Sequence, residues 1–127
     1  MAKTEIRTDA APPPGGGYSQ GIRAGQLVFT AGQVGINPAT GEIAGDTIEE
    51  QTKQVLDNIT AVLGAAGASL ADVVKVTTFL TDMSLFPGYD AVYRTYFPEP
   101  RPARSSVGVK LAGAFLVEIE AVAVLPD

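Results

Sequence analysis

Apolar side chains recur at helical spacing in the middle of the chain, beginning just after Thr47. The residues on this stripe are Ile48, Thr52, Val55, Leu56, Ile59, Val62, Leu63 and Ala66. Thr47 and Glu50 are three positions apart, which is the spacing of a capping box at the start of a helix. The pattern predicts an amphipathic helix of roughly five turns that ends at Gly67, because glycine commonly follows the last helical residue.

A second apolar stripe at helical spacing follows Ser84, a residue type that caps helix N-termini. The stripe comprises Leu85, Phe86, Tyr89, Val92, Tyr93, Tyr96 and Phe97. Pro98, Pro100 and Pro102 cannot continue a helix, so the helix must end before them. We expect its aromatic side chains to form part of the core, with Tyr93 keeping its hydroxyl at a surface.

Runs of alternating or continuous apolar residues predict strands around these two helices. The predicted strands cover residues 5–7, 19–24, 27–33, 42–44, 73–80, 104–110 and 116–124. Turn residues separate the early strands and predict a β-meander. The Pro- and Gly-rich stretch 10–17 predicts a loop that leads into Tyr18. We therefore predict a single α+β domain over residues 1–127, in which two helices cover a sheet.

The composition adds an expectation about assembly and disfavours several classes of partner. Hydrophobic residues make up 46% of the chain and charged residues 18%, which leaves apolar surface for a partner subunit, so we expect a homo-oligomer. The net charge of −5 disfavours nucleic acid and anionic membranes as partners. No stretch has the length of a membrane span or the apolar core of a signal peptide, and we expect a cytoplasmic protein.

The chain contains no histidine and no cysteine, which restricts the chemistry available to it. These absences remove the usual general base, the usual thiol nucleophile and nearly every zinc site, so we expect no metal and no cofactor. The glycine run 15–17 lacks the spacing of a dinucleotide-binding motif. Any reaction must therefore use arginine, carboxylates, hydroxyls, backbone groups and water.

Arg104 is the first candidate for a functional residue. It lies between a proline-rich approach and the start of a predicted strand, and a fixed backbone of this kind favours a binding site. A guanidinium in such a place can grip a carboxylate through two parallel hydrogen bonds. A surface ion pair is the structural alternative, and the residue pattern leaves it open.

Glu118 and Glu120 are two positions apart in the last predicted strand, so they share one face of it. Their neighbours are apolar on both faces, which predicts a mostly buried strand. A buried carboxylate is destabilising unless paired, so we expect at least one of the two to meet an arginine, a backbone donor or a functional water. A structural pair with Arg104 and a solvated position near the end of the sheet remain open.

Blocks of sequence between Gly17 and Ala123 carry a family resemblance. In chain order they are Tyr18-Ser19-Gln20, Val28-Phe29-Thr30-Ala31-Gly32-Gln33, Asn37-Pro38-Ala39-Thr40-Gly41-Glu42, Glu50-Gln51-Thr52, Asn58, Ala66-Gly67-Ala68-Ser69, Pro102-Ala103-Arg104-Ser105 and Val117-Glu118-Ile119-Glu120-Ala121. A chain with these blocks in this order resembles the RidA family, also called YjgF.

The resemblance implies a fold similar to bacterial chorismate mutase, with a mixed sheet covered by two helices, assembled as a homotrimer whose clefts lie between subunits. It also implies an enzymatic activity. RidA-like proteins hydrolyse reactive 2-imino or enamine acids, such as 2-iminobutanoate and 2-iminopropanoate, to 2-keto acids and ammonium. These imines are products of PLP enzymes acting on threonine or serine.

The same resemblance implies roles for individual residues. Arg104 would bind the substrate carboxylate, and Glu118 would position the attacking water and accept its proton. Tyr18 would line the cleft, and Gly32 would provide backbone contacts to the substrate. Chemistry without histidine is feasible because a protonated imine is already electrophilic at C2.

Two positions in the implied cleft depart from the family pattern. Ala31 stands where many members carry serine, which removes a hydroxyl from the cleft. Asp90 stands where the typical deaminase has asparagine, and its carboxylate would repel that of the substrate unless Arg104 lies between them or Asp90 is neutral.

These departures keep an alternative function open, which is a non-catalytic trimeric binding module for small carboxylates or keto acids. Nucleic-acid cleavage is known among relatives of the family. The negative net charge and the missing histidine disfavour it for this chain.

Overall fold

A seven-stranded β-sheet organises residues 2–127, which are the residues described by the computed structural model. The strands are β1 (Lys3–Ile6), β2 (Gly21–Ala24), β3 (Leu27–Thr30), β4 (Gln33–Val34), β5 (Val73–Leu80), β6 (Ala103–Gly108) and β7 (Val117–Val124). Their spatial order is β1-β2-β3-β7-β5-β6, and β4 also pairs with β7. β5 and β6 run parallel while the other neighbours run antiparallel, so the sheet is mixed, as the family resemblance implies.

Two helices, α1 (Ile48–Ala65) and α2 (Phe86–Tyr96), pack together over one face of this sheet. The predicted start of α1 is confirmed, because Thr47 Oγ1 accepts a hydrogen bond from the backbone N–H of Glu50 at 3.2 Å. The helix ends at Ala65, and Gly67 adopts a φ of +84°, which glycine reaches without steric strain. Neither of these helices is long and apolar enough to cross a membrane. The predicted α+β class is confirmed.

Two predictions about α2 are wrong. Ser84 does not cap the helix; its backbone N–H donates to Asp82 Oδ1 at 2.9 Å, inside a 3₁₀ turn (Met83–Leu85) that precedes α2. Asp82 caps this turn, and α2 begins after Leu85, which makes no side-chain capping hydrogen bond. Tyr93 does not keep its hydroxyl at a surface, since the residue is only 3% exposed; the hydroxyl of Tyr96 instead reaches a carboxylate on α1 at 2.7 Å.

A β-bulge separates β3 from β4 and splits the predicted strand 27–33. Phe29 pairs with Val122 of β7, and Gln33 pairs with Ile119. From the first pair to the second, the β3–β4 segment advances by four residues and β7 by only three. One extra residue therefore lies in the segment 31–32. A bulge bends the strand and turns side chains and backbone groups away from regular pairing.

The other strand predictions differ from the structure mainly at their ends. The strand predicted at 73–80 has the observed bounds, whereas that at 19–24 begins two residues later, at Gly21. The stretch 42–44 forms no strand and contributes only an isolated bridge between Ile36 and Ile43.

Alternation of side chains along β7 separates the two faces of the sheet. Val117, Ile119, Ala121 and Ala123 are buried beneath the helices, whereas Glu118, Glu120, Val122 and Val124 lie on the opposite side. This opposite side is the open face; the exposed apolar residues on it are Leu27, Phe29, Val107 and Val124. The prediction of a mostly buried strand therefore holds for the face toward the helices, whereas the open face is only partly covered within a single chain.

Gln51 is a fully buried polar residue of α1 that joins three segments. Its side-chain nitrogen donates to the carbonyl oxygens of Gly45 at 3.0 Å and Ala114 at 3.1 Å. Its side-chain oxygen accepts from the backbone N–H of Leu116 at 2.8 Å. The amide thus satisfies backbone groups just before α1 and just before β7, which fixes where the central strand begins.

We predict that Gln51→Leu destabilises the fold by about 2–4 kcal/mol, because three buried backbone groups lose their partners at once. Gln26→Leu, the same chemical change at an exposed turn position, is the control and changes stability by less than about 0.5 kcal/mol. Urea unfolding at one fixed protein concentration measures both variants. A Gln51→Leu variant as stable as the control would contradict the anchoring role.

Candidate functional site

The candidate residues form two separate clusters on opposite faces of the sheet. Arg104 of β6 pairs with Val76 of β5, which pairs with Ala121 of β7. Ala121 faces the helices, so Arg104 lies on the helix-covered side. Glu118 is three positions from Ala121 and lies on the open face. Within one chain, the predicted site residues are therefore not brought together.

The Arg104 cluster consists of Arg104, Asp90 and the rings that surround the guanidinium. Arg104 Nη1 donates to Asp90 Oδ1 at 2.8 Å, and the arginine side chain is 22% exposed. The guanidinium carbon lies 4.5 Å from the ring centroid of Tyr93, 5.2 Å from that of Phe86 and 5.4 Å from that of Tyr89. Cation–π attraction and the ion pair together hold the guanidinium in one place.

Asp90 is shared between two arginines. Its Oδ1 accepts from Arg104, and its Oδ2 accepts from Arg94 Nε at 2.9 Å, one helical turn further along α2. Burial disfavours the charged carboxylate, but the hydrogen bonds and charges of Arg94 and Arg104 outweigh burial and lower the pKa of Asp90. Asp90 is therefore ionised at neutral pH, which removes the possibility that it is neutral.

One cavity of about 260 Å³ opens beside this cluster. Its lining consists of Asp90, Tyr93, Arg94, Arg101, Pro102 and Arg104. Arg94 and Arg101 were not among the residues singled out from the sequence. The i,i+4 spacing of Asp90 and Arg94 on a predicted helix was a usable signal for the first, since such residues are neighbours on a helix surface. Nothing local connects Arg101 with α2.

The Glu118 cluster consists of Tyr18, Ala31, Gly32 and Glu118, which line a second cavity of about 260 Å³. The bulge after β3 brings Gly32 against the Glu118 carboxylate so closely that a Cβ atom at position 32 would clash with Oε2. The Tyr18 hydroxyl accepts a hydrogen bond from the backbone N–H of Gly15 at 3.1 Å, so the glycine loop holds the ring. A larger residue at position 32 would therefore displace the Glu118 side chain.

Glu118 is the perturbed acid of this cluster. Burial raises the pKa of Glu118, and the nearby charge of Glu120 raises it further. Among residues 2–127 its side chain has no hydrogen-bond or ion-pair partner, so the predicted structural pair with Arg104 is absent from the single chain. A carboxylate with a raised pKa is a stronger base than an ordinary exposed glutamate, which suits it to accept and return a proton.

Metal binding has no geometric support in the described chain. In residues 2–127 no group of three or more Asp or Glu side chains is arranged to hold a metal ion. The Arg104 cluster provides one anchored guanidinium. The Glu118 cluster provides one carboxyl group, the phenol of Tyr18 and the backbone of Gly32. Such groups can bind a small carboxylate and transfer a proton.

A family model, curated sequences and solved structures all match nearly the whole chain. The family model described as Endoribonuclease L-PSP matches residues 8–125. A RutC family protein of Pyrococcus abyssi is 52% identical, over 97% of this chain and 98% of its own. The 2-iminobutanoate/2-iminopropanoate deaminase of Escherichia coli is 42% identical over 98% of each chain. The structure of Escherichia coli TdcF with bound serine superposes with a TM-score of 0.91 at 39% identity, over 97% of this chain and 99% of that one.

The raised pKa of Glu118 predicts a pH-dependent effect on stability. The folded chain holds the Glu118 proton more tightly than the unfolded chain, so the stabilisation is complete below the usual glutamate pKa and is lost as pH rises through the raised pKa. Glu118→Gln removes this ionisation. We expect the variant to gain stability relative to wild type as pH rises from about 4 to about 7.

Urea unfolding of both proteins across this pH range measures the effect. The same comparison can be made in a Glu120→Gln background. There the stability difference between glutamate and glutamine at position 118 should change less with pH, because the Glu120 charge contributes to the raised pKa of Glu118. A difference between Glu118→Gln and wild type that does not change with pH would contradict the assignment.

Proposed function

Because the chain belongs to the RidA (YjgF) family, whose family model carries the description Endoribonuclease L-PSP, we propose that it is an imine deaminase. The proposed reaction converts reactive 2-imino acids and their enamine tautomers, such as 2-iminobutanoate and 2-iminopropanoate, to 2-keto acids and ammonium. The observation that carries the proposal is the anchored guanidinium of Arg104 at the wall of a small cavity. The name of the Escherichia coli relative and the serine bound to TdcF support the same class of small ligand.

Arg104 is proposed to bind the substrate carboxylate. A guanidinium has five N–H donors, and the hydrogen bond to Asp90 uses only one of its nitrogens, Nη1. The remaining donors can hold a second carboxylate beside Asp90, and Arg94 offsets part of the charge of Asp90. Charge-assisted bonds of this kind contribute about 1.5–3 kcal/mol to binding.

Glu118 is proposed to act on water. A water oxygen attacks C2 of the protonated imine, the C=N π electrons move to nitrogen, and Glu118 takes the proton that the water releases. Glu118 then returns this proton to the amino group of the tetrahedral intermediate. The C–N bond breaks and ammonia leaves; the hydroxyl proton passes through water to this ammonia as the carbonyl forms, so the products are the keto acid and ammonium. The reaction needs no cofactor, because the substrate supplies its own electrophile.

A second copy of the chain is proposed to complete the site. The Arg104 cluster and the Glu118 cluster lie on opposite faces of the sheet, so they can face one substrate only if they come from different subunits. The open face, with its exposed apolar side chains, is a suitable surface for that contact. We therefore propose the homotrimer with clefts between subunits, in the chorismate mutase-like arrangement, and we propose the cytoplasm as its location.

A non-catalytic trimeric binding module is the second candidate function. One observation favours it: Asp90 is ionised and already occupies part of Arg104, so the arginine is a weaker anchor than a free guanidinium. Such a protein would bind keto acids or other small carboxylates in the same cleft without turnover. Measurement of turnover separates the two candidates.

We predict that the wild type accelerates release of 2-ketobutyrate when a PLP-dependent threonine dehydratase generates 2-iminobutanoate in the presence of semicarbazide. Arg104→Ala should lower kcat/KM by about 10- to 100-fold through loss of carboxylate binding. Glu118→Gln should lower kcat by about 100-fold or more through loss of the base. Glu120→Gln, on the same strand and face, is the matched control; it removes one cause of the raised pKa of Glu118 but leaves the base in place, so it should retain most of the activity. A wild type without effect on semicarbazone formation would leave the binding module as the function.

We predict that two inactive variants restore activity when their subunits are mixed. If Arg104 and Glu118 of one cleft come from different subunits, Arg104→Ala and Glu118→Ala chains refolded together in equal amounts regain about a quarter of the wild-type activity, because random pairing leaves that share of clefts intact. Separately refolded samples mixed without exchange are the control. No recovery from mixed oligomers would mean that each site is built within one chain.

A further inference from the structure

The cavity beside the Arg104 cluster has more positive charge than a single carboxylate needs. Arg94, Arg101 and Arg104 contribute three positive charges to its lining, and Asp90 contributes one negative charge. The four side chains carry a net charge of +2, in a chain whose total charge is −5. Positive charge concentrated in a cleft of an acidic protein favours a ligand with more than one negative charge.

Asp90 does not exhaust the donors of the arginines around it. Arg94 uses only Nε for its bond to Asp90, and its two terminal nitrogens have no partner within residues 2–127. Arg101 has a single bond, from Nη1 to the exposed Glu99 at 3.2 Å. Two guanidinium groups beside Arg104 can therefore donate to a ligand without breaking any bond inside the fold.

The backbone that carries these arginines is held in place. Arg94 lies in the last turn of α2, and its side chain is fixed to Asp90 one turn earlier. Arg101 has proline on both sides, at positions 100 and 102, which restricts its main chain. Donors on a restricted backbone lose less conformational entropy when they bind a ligand.

We propose that the preferred substrates are 2-imino or enamine acids whose side chain carries a second carboxylate. This proposal rests on the proposed function. Arg104 binds the carboxylate next to the reacting carbon, and Arg94 and Arg101 bind the carboxylate at the other end of the substrate. In the same protonation state, a substrate with two carboxylates brings one more negative charge to the +2 lining than 2-iminobutanoate does. The products of such substrates are dicarboxylic keto acids.

A matched pair of product-like ligands tests the proposal in the assembled, full-length protein. 2-Oxoglutarate and 2-oxovalerate have the same five-carbon chain and differ in the second carboxylate. Calorimetry at a constant ionic strength of about 0.15 M gives both dissociation constants. We expect 2-oxoglutarate to bind about tenfold more tightly or better. Equal affinity for the two ligands would overturn the proposal.

Variants that remove equal positive charge inside and outside the cavity distinguish direct contacts to the second carboxylate from long-range electrostatic attraction. In Arg94→Gln and Arg101→Gln the ratio of the two dissociation constants should fall several-fold, and in the double variant it should approach one. The double variant Arg7→Gln/Arg23→Gln removes the same charge from exposed sites outside the cavity and is the control. A control in which the ratio falls equally, or a double variant that keeps the wild-type ratio, would overturn the proposal.

The binding and turnover measurements together distinguish a missing dicarboxylate preference from a missing deaminase activity. If 2-iminobutanoate is hydrolysed and 2-oxovalerate binds as well as 2-oxoglutarate, the deaminase stands and the dicarboxylate preference is wrong. If neither keto acid binds and no imine is hydrolysed, both are wrong.

Discussion

β7 lies in the middle of the sheet, with β3 and β4 along one edge and β5 along the other. Its side chains alternate, so Ile119 and Ala121 must point toward the helices if Glu118 and Glu120 point away from them. A slip of one residue would exchange these two sets and bury both carboxylates in the core. Gln51 anchors the residue just before this strand, and the pairing with β5 continues the register along its length. The positions of Arg104 and Glu118 on opposite faces follow directly from that register.

Much of the fold could be predicted from local sequence, whereas the arrangement of the candidate site could not. α1 and β5 carry complete local signals, a cap with helical spacing in one case and a β-branched run in the other. Before α2 the predicted cap Ser84 lies inside a 3₁₀ turn that Asp82 caps, and α2 itself begins without a side-chain cap. The bulge after β3 arises from its pairing with β7, about ninety residues away, and Arg101 meets α2 only through the folded chain. Local pattern has no information about such contacts.

The Arg104 cluster illustrates how a site without histidine can be prepared for binding. Three aromatic rings replace water around the guanidinium, and Asp90 partly balances its charge, so the group is already oriented before a ligand arrives. The same carboxylate competes with any incoming acid. If this is the proposed binding site, its affinity and selectivity depend on the balance between Asp90 and its two arginine partners. On the open face, the raised pKa of Glu118 results from burial and from Glu120, without any specific partner.

The proposed chemistry, and not the pairing of the sheet, gives a reason for the bulge between β3 and β4. A chain shortened by one residue at position 31 or 32 would pair with β7 in regular register, because Gln33 already lies opposite Ile119. The sheet would lose an irregularity, and the recess that receives Glu118 would close. The length of the chain at this point is therefore not required by the architecture. Over evolutionary time the loss of one codon there would be opposed by selection on what the recess does, and not by selection for a well-formed sheet.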